Sequence, residues 1–207
     1  MDVEKIRWYG HDSFLIEDGK KVIYIDPWKM PSSAPKADYI FVTHDHYDHY
    51  SAEDIEKLSG ENTIVFCPND IAERLGERAR SLSPEQTMLY DDIKIEAIRA
   101  YNIDKSFHPK ENDWLGYIIT VSDGTRIYHA GDTDFIPEMR DLETDIALLP
   151  VSGTYVMTAE EAINAANTFK PKIAIPMHFG DIIGDDNDAV KFGKGFKGKT
   201  VVKPVTH

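Results

Sequence analysis

The sequence predicts an α+β fold in which two sheets are covered by helices. Three observations carry this reading. Short β-rich runs are separated by tight-turn signals such as Asp18-Gly19 and Asp123-Gly124. In the second half, apolar β-runs alternate with stretches of helical periodicity. Two hydroxyl-x-x-acid patterns, Ser51 to Asp54 and Thr158 to Glu161, mark helix starts. Hairpins mixed with βα units fit two covered sheets better than one doubly wound parallel sheet.

Residues 6–9, 14–17 and 22–26 read as strands, broken by Gly10 and by Asp18-Gly19. Residues 39–43 form a further β-run that leads straight into a histidine cluster. Ser51 then opens a helix whose apolar face is Ile55 and Leu58. Residues 63–67 are a strand. Pro84 and Asp91-Asp92 flank a hairpin that ends in residues 93–100. The polar stretch 102–113 is a loop, and 115–121 pairs with 126–130 through Asp123-Gly124. A buried strand at 146–151 precedes a helix at 159–169, where Ala162, Ile163, Ala166 and Phe169 share one face. The chain closes with a strand at 173–177, a helix at 185–192 and a strand at 200–205. Lysine and glycine alternate over 191–199, which reads as a solvated face and turn; a small patch for an anionic group is the functional alternative.

Length and composition narrow the class. The 207 residues are read as one domain, 1–207, with enough chain for a sizeable core. The longest apolar run covers only residues 146–151, against roughly 20 for a membrane span. The N-terminal ten residues lack the apolar stretch of a signal peptide. A single cysteine, Cys67, excludes an internal disulfide and a cysteine-rich metal site, and points to a cytoplasmic location. With 36 acids against 23 bases, the formal charge is -13. Broad binding to nucleic acid or anionic membrane is therefore disfavoured, whereas a small-molecule substrate is compatible. Nothing in the sequence defines an oligomeric state.

The chemistry lies in His44-Asp45-His46-Tyr47-Asp48-His49, which is His-x-His-x-Asp-His. Three of the eight histidines fall within six residues, just past a strand end. Imidazole and carboxylate together suit zinc, iron or manganese. On a loop, His44 and His46 can face one side while Asp48 and His49 face another, so one hexapeptide can serve two ions. It cannot close two sites alone. The remaining candidates are Asp132, in His129-Ala130-Gly131-Asp132-Thr133; His178, after the strand at 173–177; and His108, in the polar loop, where Asn102 and Asp113 compete with it.

With these residues in view, the sequence resembles metallo-β-lactamase-fold hydrolases over nearly its whole length. The resemblance rests on Gly10-His11-Asp12-Ser13-Phe14, Ile25-Asp26-Pro27-Trp28, Thr43 to His49, Tyr128 to Thr133, Leu148 to Pro150 and Pro176 to Gly180. The branch that it resembles holds ascorbate-6-phosphate lactonase and N-acyl phosphatidylethanolamine phospholipase D. The resemblance implies a four-layer αββα sandwich with two divalent metal ions, zinc foremost, at the strand ends between the sheets. It implies His44, His46 and His108 on the first ion, and Asp48, His49 and His178 on the second. Asp132 would bridge the two. His11, Asp26 and His129 resemble residues that orient the ligands or pack the strands, and His207 reads as solvated.

The expected activity is metal-dependent hydrolysis of a small anionic ester, lactone or phosphodiester. A metal-bridging hydroxide would be the nucleophile, and Asp48 would orient it. Tyr155 and Asn102, with Lys105, are expected substrate contacts on position alone. The alternatives are a phosphodiesterase or nuclease of the ribonuclease Z kind, which the charge opposes, and a lipid-directed phospholipase D-like enzyme, for which no basic amphipathic helix is apparent. A non-catalytic metal-binding module is the last, and the complete ligand set argues against it.

Overall fold

Two β-sheets face each other across a shared core, and the computed structural model describes all residues, 1–207. The first sheet comprises β1 (Ile6–Gly10), β2 (Ser13–Asp18), β3 (Lys21–Ile25), β4 (Ala37–Phe41), β5 (Ser59–Cys67) and β6 (Ala79–Ser81), in that spatial order. Its first three strands pair antiparallel and the rest parallel. The second sheet comprises β7 (Thr87–Tyr90), β8 (Ile93–Arg99), β9 (Leu115–Thr120), β10 (Arg126–His129), β11 (Ile146–Pro150), β12 (Ile173–Met177) and β13 (Lys199–Thr200). It follows the same plan: β7 to β10 pair antiparallel and β10 to β13 parallel.

Period-two burial explains the layering. On β2, β3 and β4, Phe14, Ile16, Ile23, Ile25, Tyr39 and Phe41 belong to the cluster shared with the second sheet. The alternate residues Leu15, Tyr24 and Ile40 join Ile55, Leu58 and Ile71 in a separate cluster. The last three belong to α1 (Ala52–Leu58) and α2 (Asn69–Leu75), which cover the outer face. On the second sheet, Tyr128 of β10 meets Phe169 of α3 (Ala159–Phe169) edge-on at 6.1 Å. Helix α3 packs beside α4 (Asp186–Gly195). The result is the expected α+β, four-layer αββα sandwich.

Local chemistry sets the helix starts. Thr158 caps α3 reciprocally with Glu161, as the sequence predicts. At α1 the Ser51 side chain accepts from the Asp54 N–H, but the Asp54 carboxylate accepts from the Ser51 hydroxyl and from the backbone N–H groups of Lys29 and Met30, not from the Ser51 N–H. It ties the loop after β3 to the helix instead of completing the cap. Helix α4 carries a second reciprocal cap, Asp185 with Asp188.

The fold differs from the expected elements in two places. Helix α2 and strand β6 were not anticipated: α2 is seven residues long and its N-cap is Pro68, which offers no capping side chain. The expected closing strand at 200–205 is only β13; beyond it, Pro204 has no N–H to extend the ladder, and Val205 bridges instead to Trp8 of β1. The lysine–glycine segment is the solvated face expected, with Lys191, Lys194, Lys197 and Lys199 exposed; Lys191 pairs with Glu160, while Phe192 and Phe196 turn inward and stack at 5.8 Å. No helix is long and apolar enough to cross a membrane.

The parallel pairings decide where a site can form. Strands β10, β11 and β12 run in register, so their carboxyl ends reach the same edge. Strand β4 delivers the His44 loop from the opposing sheet. Asp132, Ser152, His178 and the His44–His49 hexapeptide all follow strand ends.

Candidate metal centre

Along that edge the structure brings His44, His46, His108 and Asp132 together, one donor atom from each lying within 4.8 Å of the others. A second group, Asp12, His49, Asp132 and His178, meets the same limit. Asp132 belongs to both. His108 Nε2 and His178 Nε2 approach its Oδ2 at 3.1 Å and 3.2 Å. His49 Nε2 is 3.5 Å from its Oδ1. Asp48 stands at the rim of the second group, with Oδ2 3.9 Å from His49 Nε2.

The imidazoles are aimed by their other nitrogens. Thr43 donates its single hydroxyl proton to Asp26 Oδ2 at 2.6 Å, so its oxygen accepts from His44 Nδ1 at 2.9 Å. That leaves His44 Nε2 as a lone-pair donor. His49 Nδ1 donates to Asp26 Oδ2 at 2.8 Å. His108 Nδ1 donates to Asn102 Oδ1 at 3.1 Å, and His178 Nδ1 pairs with Ser152 Oγ at 2.9 Å. His11 Nε2 donates to Asp48 Oδ2 at 3.0 Å. Orienting contacts of this kind fix tautomer and ring angle at metal sites. His129 is different: its Nε2 donates to the Asp12 carbonyl and its Nδ1 accepts from the Gly131 N–H, so no lone pair remains.

Backbone conformation also concentrates here. His11, Asp26 and His178 have φ of 48°, 45° and 60°. Left-handed backbone at a non-glycine residue costs on the order of 1 kcal/mol and persists where the surroundings over-determine it. Gly131 precedes Asp132 at φ 62°, and a Cβ there would lie 2.9 Å from the Leu115 carbonyl oxygen. Only glycine lets this turn pass so close to β9.

The donor set fits cations. His49 Nε2, His108 Nε2 and Asp132 Oδ1 are buried without a hydrogen-bond partner. His44 Nε2 faces His46 Nδ1 at 3.0 Å, two ring nitrogens that repel unless a proton or a cation lies between them. Buried polar atoms left in this state are costly, and a cation in each donor group would satisfy them. Imidazole and carboxylate are the right ligand types for zinc, iron or manganese.

The electrostatics divide the cluster. Burial holds His44 well below its ordinary value, with further lowering by His49, and burial lowers His46 too. For His49 and His178 burial acts the same way, but carboxylates outweigh it: Asp132 and Asp26 hold His49 well above its ordinary value, and Asp132 with Asp12 raises His178 to about 9. Burial would raise Asp132, yet His178 and His49 hold it well below the usual carboxylate range.

Two sequence expectations change role. The Asn102 amide, expected to face substrate, lies behind His108: its Nδ2 donates to Asp134 and to the Tyr155 carbonyl, and its Oδ1 receives His108. Lys105 is occupied by Asp134. Asp113, the rival of His108, is exposed and bound to Arg99 at 2.6 Å. Tyr155 does line the cavity above the cluster. Sequence reading passed over Asp12 and Trp114. Asp12 is wholly buried, and neither carboxylate oxygen has a hydrogen-bond partner. Its signal was an acid between His11 and Ser13 at the tip of an apolar hairpin. Trp114 packs its ring 4.9 Å from both His44 and His46, held by a bond from its Nε1 to Asp70 of α2.

A sandwich with histidines and carboxylates at its strand ends defines a class. The sequence profile described as Beta-lactamase superfamily domain matches residues 5–178. A UPF0173 metal-dependent hydrolase from Thermoplasma acidophilum is 34% identical, over 99% of this chain and 96% of its own. The crystal structure of a Parabacteroides distasonis protein assigned as a metal-dependent hydrolase superposes with a TM-score of 0.86 at 31% identity, covering 97% of this chain and 93% of that one. Igni18, a metallo hydrolase from Ignicoccus hospitalis, gives a TM-score of 0.80 at 25% identity, with 98% and 95% covered. The chain belongs to the UPF0173 metal-dependent hydrolases of the beta-lactamase superfamily.

Proposed function

We propose that this metal-dependent hydrolase uses a binuclear centre to cleave a small ester, lactone or phosphodiester. The observation that carries the reading is the sharing of Asp132 by two donor groups. His44, His46 and His108 would hold one ion; Asp48, His49 and His178 the other; Asp132 would bridge them. The chemistry supplied by two such ions, zinc foremost with manganese or iron as alternatives, is water activated to hydroxide near neutral pH and polarisation of the scissile group's oxygen.

The chain's own residues prepare that event. Asp26, Thr43, Asn102 and Ser152 hold the imidazoles at fixed angles, so little reorganisation is needed. Trp114 and the buried walls exclude water from the His44 side. Asp48, the most exposed carboxylate of the set at 13%, faces the cavity and is held by His11, which suits it to orient the attacking water. The cavity itself is small, about 240 Å³. The single cysteine, Cys67, free and buried, supports a cytoplasmic location.

The test is a hydrolysis panel of phosphodiesters, lactones and thioesters on protein loaded separately with zinc, manganese and iron, with metal content measured on the same samples. Two ions per chain and turnover lost in Asp48→Ala are expected. A protein that takes up none of these metals would refute the reading.

A further inference from the structure

The cavity above the cluster has a floor and a rim of opposite character. Its floor consists of His46, Asp48, His108, Asp132 and His178. Its rim consists of Tyr47, Phe107, Tyr155 and Ile182. These four come from four different loops: the metal hexapeptide, the stretch after β8, the turn after β11 and the segment before α4. Three are conspicuously exposed for apolar residues: Tyr47 at 68%, Phe107 at 45% and Ile182 at 36%. The rings are ordered against partners. Phe107 meets Tyr155 edge-on at 4.7 Å, and Tyr47 meets Trp28 edge-on at 5.9 Å. Exposed apolar side chains that converge on one opening mark a binding surface.

Lysine and arginine, by contrast, are absent from the nine lining residues, and the histidines among them are the metal-site candidates of the floor. The cations nearby are already matched. Lys29 lies over the Trp28 ring at 4.0 Å and pairs with Asp181 at 2.8 Å. Lys105 pairs with Asp134, and Lys110 with Glu138 at 3.1 Å. A substrate carrying a second anionic group would have to strip it of water with no charged donor to receive it, which is unfavourable.

We infer that the substrate presents one hydrolysable group to the metals and an apolar or aromatic remainder to Tyr47, Phe107, Tyr155 and Ile182. This rests on the binuclear reading and narrows it. Any negative charge belongs to the reacting group, and the remainder is a compact ring or short alkyl chain.

Thiols test this without needing turnover, because a thiolate binds such a centre through sulfur. The probes are 2-phenylethanethiol and 3-mercaptopropionate, titrated by calorimetry into zinc-loaded and zinc-free protein. The phenyl thiol is expected to bind the loaded form at least about tenfold more tightly than the carboxylate thiol. Phe107→Ala should erase most of that preference, and Phe107→Lys should invert it by adding the missing cation. Phe107 is half-exposed, so neither change endangers the fold. Equal or tighter binding of 3-mercaptopropionate by the wild type would overturn the inference while leaving the metal centre intact. Zinc-independent binding, or no binding, of both thiols would overturn the metal centre and the inference with it.

Discussion

The two donor groups share Asp132 but are built on different principles. Around His44, His46 and His108 the protein supplies imidazoles, an aromatic wall in Trp114 and neutral orienting partners in Thr43 and Asn102. Burial there keeps His44 and His46 neutral, ready to bind a cation. Around His49 and His178 it supplies carboxylates: Asp12, Asp26, Asp48 and the shared Asp132. There the acids hold protons on the imidazoles when no metal is bound. One group excludes charge, whereas the other would exchange protons for a cation on the proposed reading.

The largest break in this comparison is at the shared residue. Asp132→Ala should remove both ions and lower turnover on the order of 10³-fold or more, measured as metal content and kcat/KM. His46→Ala and His178→Ala should each reduce metal content by half, from opposite sides, as read by elemental analysis. Next come the residues that aim the ligands. Asn102→Ala should weaken the first ion about 10- to 100-fold, and Ser152→Ala the second, each leaving the other ion in place in a competitive chelator titration.

A pH series sharpens the same contrast. The folded pKa of His178, about 9 against an ordinary 6.5, means that its proton stabilises the metal-free fold fully below 6.5. That contribution is lost as pH rises through about 9, and His49 acts in the same direction. The metal-free Tm should therefore fall between pH 6.5 and 9. Metal needs the deprotonated ligands, so the gap between loaded and free Tm should widen over this range. The smallest effect lies far from the centre: Thr158→Ala removes the α3 cap and should cost about 1 kcal/mol, a Tm drop of roughly 2–4 °C, with metal content unchanged.

The legibility of the sequence follows the same division. The His44–His49 cluster stood out because three imidazoles in six positions after a β-run have few other uses. Asp132 and His178 were legible as polar residues at strand ends, and α3 through its cap and periodicity. Helix α2 was not, since a seven-residue helix without a capping side chain leaves only Ile71 as its buried residue. Its Asp70 matters through Trp114, a contact across 44 positions that no local pattern encodes. The reassignment of Asn102 has the same cause. A polar loop residue looks available until the fold brings His108, Asp134 and the Tyr155 carbonyl to its amide. Asp12 is the sharpest case, because nothing local marks an acid in a hairpin tip as wholly buried.

The most direct test of the shared-carboxylate centre is a zinc titration of metal-free wild type followed by native mass spectrometry. Occupancy should rise to two ions per chain and stop there. Saturation at a single ion, with His178→Ala still binding that ion as tightly as the wild type, would contradict the account.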